Sequence, residues 1–347
     1  MHFNHTVVEA LAYALPEEVW TSDAIETRLA PLYERLKLPA GRLELMSGIR
    51  ERRFWPADQR PSESAAQAAK ALFEHNAIDP GTIDLLIYAG VCRDRLEPAT
   101  AAYVHGLLGL GSKTAFLDVS NACLGFLNAM VLAAAQIEAG LVKRVLIVSG
   151  ENGRPLVEHT LQTLLTGDFN RRSIKPYFAN LTIGAGAMAA VVTHESAAAA
   201  SAPVRLTGAV VRSDSLANQL CEGDTTDASG LAMLTDSESL LEAGVALARS
   251  TWEAFCRELN WAAETADHII THQVGRRHQQ ALFAALGLAE SKDFSTYATL
   301  GNIGSVSLPI TLAKAIESGV VQRQHKLALL GIGSGLGCLM LAAEALR

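Results

Sequence analysis

The order of strands and helices in the N-terminal half of this 347-residue chain recurs in its C-terminal half. The segment KRVLIVSGENG (143–153) aligns with HKLALLGIGSG (325–335), and IDLLIYAGVCRD (83–94) aligns with ADHIITHQVGRR (266–277). An Ala/Ser-rich stretch, ESAAAASAP (195–203), separates the halves and is typical of a linker. The sequence therefore predicts an internal duplication.

This duplication leaves few folds open to the chain. We predict an N-terminal half over 1–200 and a C-terminal half over 201–347. The strands are nearly continuous apolar runs that alternate with helices, a pattern typical of parallel sheets covered by helices. The predicted fold class is therefore α/β, with duplicated βαβαβ halves that pack together as a five-layer αβαβα sandwich.

Composition excludes several classes of protein. A net charge of -7 argues against nucleic acid as a main partner. Five cysteines, an odd number without a CxxC pair, fit a reducing compartment. The N-terminus lacks the basic and apolar regions of a signal peptide, and the apolar stretches 122–135 and 327–343 are too short or too rich in glycine to span a bilayer. We therefore expect a soluble cytoplasmic protein without a transmembrane segment.

The pattern also predicts several local elements. Residues 22–47 have helical spacing, and GIRERRFW (48–55) is typical of a basic turn. Pro98 is expected to begin a helix, since proline is well suited to a first turn. Residues 151–180 are polar and irregular, which predicts an inserted cap or interface segment.

The stretch LDVSNACLGFLNAMVLAAAQIEAG (117–140) holds the first candidate for chemistry. It predicts a buried strand, a tight turn over 120–122, and a helix from Cys123 to Gly140 that is apolar or small on nearly every side. The positive end of a buried helix stabilises a thiolate and so favours a nucleophile. A buried, inert cysteine is the alternative, and this stretch alone does not choose between the two.

Three further candidates lie where predicted strands end. His272 follows DHIIT, Asn302 lies in TLGNIGSVSLPI, and GIGSGLG (331–337) offers closely spaced backbone N–H groups. Each has a simpler explanation by itself: a core histidine, a turn residue, and glycines that let two strands turn. Together with Cys123, however, they form a set suited to thioester chemistry.

These motifs carry a family resemblance. SNACLGFLNA, HQVGRRH and GNIGSVSLPITLAKAIESG resemble the condensing enzymes of the thiolase fold, and most closely the ketoacyl-ACP synthase III family. ALPEEVWTSDAIETRL and SGIRERRFW resemble the start of the same family, so the resemblance covers the whole chain.

The resemblance implies the thiolase fold and a role for each candidate. Cys123 would attack an acyl thioester and hold the acyl group covalently. His272 and Asn302 would donate hydrogen bonds to the thioester oxygen of a second substrate as it becomes an enolate. The backbone N–H groups of Cys123 and Ser334 would form the oxyanion hole for acyl transfer.

Glu97, in VCRDRLEPATAAYV, separates two versions of the reaction. Its position alone favours a first-turn acid that complements a helix dipole. This motif, with NACLGFLN and LLGIGSGLGCLM, resembles the OleA branch, which opens bacterial long-chain olefin biosynthesis. The resemblance implies that Glu97 reaches across a homodimer interface into the partner's active site and removes an α-proton.

The implied function is non-decarboxylative Claisen condensation of two fatty acyl-CoA molecules, which gives a β-ketoacyl-CoA or a β-keto acid. Two other enzyme functions stay open. One is a decarboxylating 3-oxoacyl-ACP synthase III that uses malonyl-ACP, and the other is a ketosynthase of a pyrone or β-lactone pathway. A non-catalytic partner subunit is a further alternative, although such subunits usually lack part of the Cys–His–Asn set.

The chain departs from the family pattern at three positions. Ile303 follows Asn302 where synthase III has threonine, and Ser305 stands where the olefin branch commonly has proline. Gly275 stands where synthase III has asparagine, which argues against a carrier-protein, malonyl-type function.

The predicted CoA contacts are one aromatic and three basic side chains: Trp20, Arg50, Arg276 and Arg277. Arg52, Arg53 and Trp55 belong to the same basic and aromatic cluster, which could hold CoA phosphates and adenine. A solvated basic turn is the alternative. No metal is expected, and no cofactor beyond the CoA thioester substrates.

Overall fold

The strands and helices follow the duplicated order. The computed structural model describes residues 1–225, 231–262 and 264–347. The strands are β1 (Thr6–Ala14), β2 (Glu18–Thr21), β3 (Glu51–Phe54), β4 (Leu85–Ala89), β5 (Ala115–Val119), β6 (Arg144–Asn152), β7 (Ala185–His194), β8 (Val204–Ser213), β9 (Cys221–Thr225), β10 (Leu231–Thr235), β11 (His268–Thr271), β12 (Lys326–Gly333) and β13 (Gly337–Ala345). The helices are α1 (Ser22–Arg28), α2 (Ala30–Leu36), α3 (Arg42–Ser47), α4 (Pro61–Asn76), α5 (Thr100–Leu107), α6 (Gly125–Glu138), α7 (Arg154–Thr166), α8 (Ser237–Leu259), α9 (Arg276–Leu286), α10 (Tyr297–Leu300) and α11 (Ser307–Glu317).

Two sheets, one from each half, carry the fold. The N-terminal sheet has the order β5-β4-β6-β7-β1, and the C-terminal sheet has the order β11-β12-β13-β8. They are joined where Val7 and Val8 of β1 pair with Arg205 and Val204 of β8. The two sheets repeat one pattern, because β6 and β12 each have a parallel neighbour on one side and an antiparallel neighbour on the other.

The helices repeat in the same way. The N-terminal order β1-α4-β4-α5-β5-α6-β6-β7 corresponds to β8-α8-β11-α9-α11-β12-β13, with the place of β5 taken by a single bridge between Ile269 and Asp293. The duplication expected from the sequence is therefore visible in the topology. The boundary predicted at 200/201 falls between β7 and β8.

Three buried clusters of apolar side chains separate the layers. The central cluster fills the space between the two sheets and contains the buried residues of α6 and α11. A second cluster lies between the N-terminal sheet and α4 with α5, and a third lies between the C-terminal sheet and α8 with α9. The layers therefore alternate helix, sheet, helix, sheet, helix, as predicted for the α/β thiolase sandwich. Among the described residues, no helix combines the length and apolar character needed to cross a bilayer.

Several local predictions are wrong. The sheets are mixed rather than parallel; β13, for example, follows β12 through a three-residue turn, which can join only antiparallel strands. Residues 22–47 are largely helical, as their spacing predicts, but they form three short helices, because Pro31 lies in the first turn of α2 and Gly41 takes a left-handed φ of 75° before α3. Residues 51–54 are a strand paired with β2.

Three helix boundaries also differ from the predictions. The segment 151–180 contains α7, although the sequence predicts it to be irregular. The helix expected at Pro98 begins at Thr100. The helix expected at Cys123 begins at Gly125.

Gly150 in β6 tests how closely α4 packs on the N-terminal sheet. A Cβ atom there would overlap the carbonyl oxygen of Pro61 and lie 2.9 Å from its carbonyl carbon. Gly150→Ala is therefore expected to lower the free energy of unfolding in urea by about 3 kcal/mol. Gly106→Ala is the control, because nothing lies within 4 Å of a Cβ atom at that helical position. Equal stability of the two variants would contradict the packing described.

Candidate active site

Cys123 lies in a tight connection between β5 and α6. The turn brings Ala122 into a left-handed conformation with φ 45°, which is rare for a residue with a side chain. The Leu124 N–H donates to the Asn121 carbonyl at 2.9 Å, and the Asn121 side chain donates to Asn128 Oδ1 at 2.8 Å. These two hydrogen bonds fix the conformation of the turn. Cys123 therefore occupies a fixed, half-buried position two residues before α6.

The thiol of Cys123 is protonated at rest. Burial of the thiol and, after it, the nearby carboxylate of Glu151 raise the pKa of Cys123 to about 12. The expectation of a thiolate at a helix N-terminus is therefore wrong, because α6 begins only at Gly125 and an anion lies close by. A neutral thiol must lose its proton during attack on a thioester.

This protonation state predicts the pH dependence of alkylation. Only the thiolate reacts, and its fraction rises tenfold per pH unit below the pKa. The rate at which iodoacetamide modifies Cys123, followed by peptide mass spectrometry, is therefore expected to rise about tenfold per unit between about pH 7 and pH 10. A plateau below about pH 9 would show instead that the thiol ionises in the ordinary range.

His272 follows β11 and adjoins the end of β12. Its N–H donates to the Leu330 carbonyl at 3.0 Å, and its side chain is 8% exposed. Burial, with the neighbouring His278, lowers the pKa of His272 to about 4, so the imidazole is neutral at pH 7. A neutral imidazole can donate one hydrogen bond to a developing oxyanion without carrying a charge.

Asn302 precedes α11 in the C-terminal half, as Cys123 precedes α6 in the N-terminal half. Its backbone N–H donates to Thr182 at 3.0 Å, and its carbonyl accepts from Gly184 at 2.8 Å. The side-chain oxygen Oδ1 accepts the Gly304 N–H at 3.1 Å, so Nδ2 is the group left to act as a donor. The Gly304 contact therefore fixes which end of the amide can donate.

The glycine turn between β12 and β13 lies against Cys123. A Cβ atom at Gly333 would be 3.4 Å from the Cys123 backbone nitrogen, and one at Gly331 would be 2.7 Å from the Leu124 side chain. Leu336 fixes the other side of the turn through two hydrogen bonds with Asp214, of 2.9 and 3.0 Å. Ser334 lies in this turn, half-buried, and its N–H donates to no group among the described residues.

These segments contact one another. The Asn302 loop reaches the end of β4 through Ser305, whose Oγ lies 3.2 Å from the Ala89 carbonyl oxygen. The start of α6 meets the same strand end, since a Cβ atom at Gly125 would lie 3.4 Å from the Gly90 nitrogen. Together with the contacts at β12, this brings the segments of Cys123, His272 and Asn302 into one region of the molecule.

Glu97 lies in a surface loop between β4 and α5. Glu97 is exposed, and its neighbour Leu96 is 91% exposed. Both ends of the loop are fixed: Asp94 accepts from the Ser62 N–H at 2.9 Å, and Asp118 of β5 caps α5 through Thr100 N–H at 2.7 Å. Glu97 is thus presented to the surroundings on a loop with anchored ends.

The predicted CoA contacts do not all lie at one surface. Arg276 and Arg277 are exposed and line an open cavity of about 280 Å³ with Leu45 and Met46. The exposed Arg50 follows Gly48, where a Cβ atom would lie 2.8 Å from Arg276 Cβ. Arg50, Arg276 and Arg277 therefore remain predicted CoA contacts.

Trp20 and Arg52 are corrections to that prediction. Trp20 is 5% exposed in β2, with the Arg28 guanidinium 3.5 Å from its ring centre and Phe54 at its edge. It offers no face to an adenine. Arg52 is fully buried and donates to Trp20 O and Ser22 Oγ, so it belongs to the core; the supposed basic turn is β3.

Glu151 is a candidate site residue that no sequence motif indicates. This buried carboxylate is the penultimate residue of β6 and accepts hydrogen bonds from the loops of both Glu97 and Asn302. The available signal was a lone acidic residue directly after the apolar run RVLIVSG.

Comparisons with known proteins show which proteins this chain is similar to. Models of the 3-oxoacyl-[acyl-carrier-protein] synthase III family match residues 117–214 and, for its C-terminal domain, residues 256–344. An acyl-CoA:acyl-CoA alkyltransferase of Shewanella oneidensis is 38% identical over 349 residues, covering 99% of this chain and 100% of the relative. A second such enzyme, of Xanthomonas campestris pv. campestris, is 39% identical and covers 98% of each chain.

Solved structures show the same likeness. A glutamate-to-glutamine variant of Xanthomonas campestris OleA superposes with a TM-score of 0.94 at 37% identity, covering 99% of this chain and 98% of that one. A cysteine-to-serine variant of the same OleA, with bound lauric acid and lauroyl-CoA, gives 0.93 at 36% identity and 99% coverage of each chain. A beta-ketoacyl-ACP synthase III of Neisseria meningitidis is more distant, at 27% identity over 83% of this chain.

The fold and these matches define a thiolase-fold condensing enzyme of the 3-oxoacyl-ACP synthase III type. Within that class, the chain belongs to the acyl-CoA:acyl-CoA alkyltransferase family, the OleA branch.

Proposed function

We propose that this protein joins two fatty acyl-CoA molecules by Claisen condensation without decarboxylation, through an acyl group carried on Cys123. The observation that carries the proposal is the full-length similarity to acyl-CoA:acyl-CoA alkyltransferases in a chain that also contains Cys123, His272, Asn302 and Glu97. The product is a β-ketoacyl-CoA, or the β-keto acid after hydrolysis. Both serve as precursors of long-chain olefins or related lipids.

The first step acylates Cys123. Its Sγ bonds to the thioester carbonyl carbon of one acyl-CoA, while the bond from that carbon to the CoA sulfur breaks. The thiol proton of Cys123 leaves with the CoA sulfur, so that free CoA is released. The N–H groups of Cys123 and Ser334 hold the oxyanion of the tetrahedral intermediate, supported by the contact of the glycine turn with Cys123.

The second step forms the carbon–carbon bond. Glu97 takes an α-proton from the second acyl-CoA, and His272 and Asn302 donate hydrogen bonds to the enolate oxygen. The enolate carbon bonds to the carbonyl carbon held on Cys123, and the bond to Sγ breaks. The Cys123 thiolate regains the proton that Glu97 holds. The lowered pKa of His272 supports its role as a neutral donor.

We infer a homodimer in which Glu97 serves the partner's active site. Strand β5 is the outer edge of the N-terminal sheet, and Phe116 on it is 45% exposed. An open, apolar edge strand is suited to pairing with a second copy about a twofold axis. Asp118 of β5 caps the helix that begins three residues after Glu97, so pairing at this edge would bring Glu97 to the other subunit.

The substrates proposed are fatty acyl-CoAs, with Arg50, Arg276 and Arg277 as contacts for the phosphates of CoA. The cytoplasm is the proposed site of action. The five cysteines are free thiols, which fits reducing surroundings.

A decarboxylating condensation is the second candidate. Matches to synthase III models and to a Neisseria synthase III at 27% identity favour it. In such a reaction the loss of CO2 generates the carbanion, and a base such as Glu97 is not needed.

Release of CoA from purified protein distinguishes the two candidates. With lauroyl-CoA as the only substrate, we expect continuous release of free CoA and formation of a β-keto product, or of a ketone after decarboxylation. A burst of CoA equal to the enzyme concentration, followed by turnover only when malonyl-ACP or malonyl-CoA is added, would replace the Claisen proposal with the decarboxylating one.

A further inference from the structure

Glu151, the penultimate residue of β6, is a buried carboxylate without a cationic partner. Its side chain is 3% exposed, and no Lys, Arg or His among the described residues lies within 4.0 Å of it. Oε1 accepts the backbone N–H groups of Val91 and Ser305, at 3.0 Å each, and the Ser305 hydroxyl at 2.6 Å. Oε2 accepts the Cys92 N–H at 3.0 Å. All four contacts donate to the carboxylate, so both of its oxygens act only as acceptors.

The four donors come from the two loops that carry proposed reactive groups. Val91 and Cys92 open the loop that presents Glu97, and Ser305 lies three residues after Asn302. One carboxylate therefore fixes the start of the base-carrying loop against the loop that supplies the enolate donor. A Cβ atom at Gly304 would lie 2.9 Å from Glu151 Oε1, which shows how closely the second loop encloses the carboxylate.

Glu151 also lies close to the segment of Cys123. A Cβ atom at Gly90 would be 3.4 Å from Oε1, and the nitrogen of the same glycine is 3.4 Å from the position a Cβ atom would take at Gly125. A single residue, Gly90, thus separates the carboxylate from the start of α6.

We propose that Glu151 is a positioning residue that joins the Glu97 loop to the Asn302 loop and places a fixed negative charge beside Cys123. The charge beside Cys123 rests only on the proposed role of Cys123 as nucleophile, whereas the positioning of the two loops rests also on the proposed condensation. The charge opposes the thiolate, so the free enzyme holds Cys123 as a thiol until a thioester is present.

The other titratable groups in this region are accounted for. Tyr88 of β4 and Cys92 face Glu151; burial, and after it this carboxylate, raises the pKa of each well above its usual range. Asp94 interacts with Tyr88, and Cys221 of β9 interacts with Cys123 more weakly than Glu151 does. After burial itself, Glu151 is the neighbour that acts most strongly on the Cys123 thiol.

Alkylation of Cys123 in Glu151→Gln tests the charge. Removing the negative charge should raise the rate constant for alkylation of Cys123 by the neutral reagent iodoacetamide about tenfold. The rate constant for the anionic reagent iodoacetate should rise more, because the repulsion between the carboxylate and the reagent is relieved as well. The ratio of the two rate constants, measured by peptide mass spectrometry at one pH, is expected to rise at least about threefold. A loosened structure alone would speed both reagents alike. An unchanged ratio in a folded variant would overturn the proposal.

Two further variants separate charge from hydrogen bonding. Glu151→Asp keeps the charge but shortens the side chain; we expect a wild-type ratio and condensation slowed at least about tenfold. It also carries the test of positioning if Glu151→Gln does not fold, since undiminished condensation would contradict that role. Asp94→Asn should loosen the Glu97 loop at a point distant from Cys123. It should therefore leave the ratio of the iodoacetate and iodoacetamide rate constants unchanged. A wild-type protein that alkylates as described but forms no β-keto product would contradict only the Claisen reaction.

Discussion

Glu97→Gln is expected to slow condensation of acyl-CoA by about 10²–10⁴-fold while leaving acylation of Cys123 intact. The amide has nearly the size of the carboxylate but cannot accept an α-proton. Acylation does not need that proton, so the variant should accumulate acyl-Cys123, visible as a mass increase on the intact protein. Turnover at the wild-type rate would remove Glu97 from the mechanism. Glu63→Gln is the matched control, because Glu63 is exposed on α4 and takes no part in the proposed site.

Mixing two inactive variants tests whether Glu97 acts across the interface. In a heterodimer of Glu97→Gln with Cys123→Ala, one site combines the intact Cys123 of the first subunit with the intact Glu97 of the second. Random association places such a site in about a quarter of all positions, so co-expressed variants should recover about 25% of wild-type activity. A Glu97 that serves its own subunit predicts no recovery, because every Cys123 would then be paired with glutamine.

Cys123→Ala is expected to abolish condensation, by at least about 10⁴-fold, together with the covalent adduct. Cys123→Ser sharpens the test. An oxygen ester is a poorer acyl donor than a thioester, so any acyl-serine that forms should persist without condensing. Cys256→Ala is the matched control, since Cys256 lies on α8 outside the proposed site. An adduct on the Cys123→Ala protein would place the nucleophile elsewhere, and a wild-type protein without an adduct would favour a non-catalytic subunit.

The duplication was visible in the sequence because its signal is local. The runs at 143–153 and 325–335 both become strands, β6 and β12, that hold equivalent places in the two sheets. Buried strands need long apolar runs, and such runs can be recognised from the sequence alone. The segments of Cys123, His272 and Asn302 were found for a related reason, since each directly follows a strand or precedes a buried helix.

Other features depend on contacts between residues that are far apart in the sequence, and the sequence alone does not show these contacts. Arg52 and Trp20 have the composition of a phosphate and adenine site, yet β2 and β3 turn both side chains into the core. Glu151 was missed because its hydrogen-bond donors lie 60, 59 and 154 positions away along the chain. The protonation of Cys123 was misjudged for the same reason, since the carboxylate that opposes the thiolate belongs to another strand.

The central claim is that two acyl-CoA molecules are joined with every carbon retained. The most direct measurement uses acyl-CoA labelled with ¹³C at the thioester carbonyl as the only substrate, with the β-ketoacyl thioester trapped by acid and analysed by mass spectrometry. The account predicts a product with two labelled carbons, at the thioester carbonyl and at the β-keto position. A product that forms only with a malonyl thioester, and that carries one labelled carbon, would contradict it.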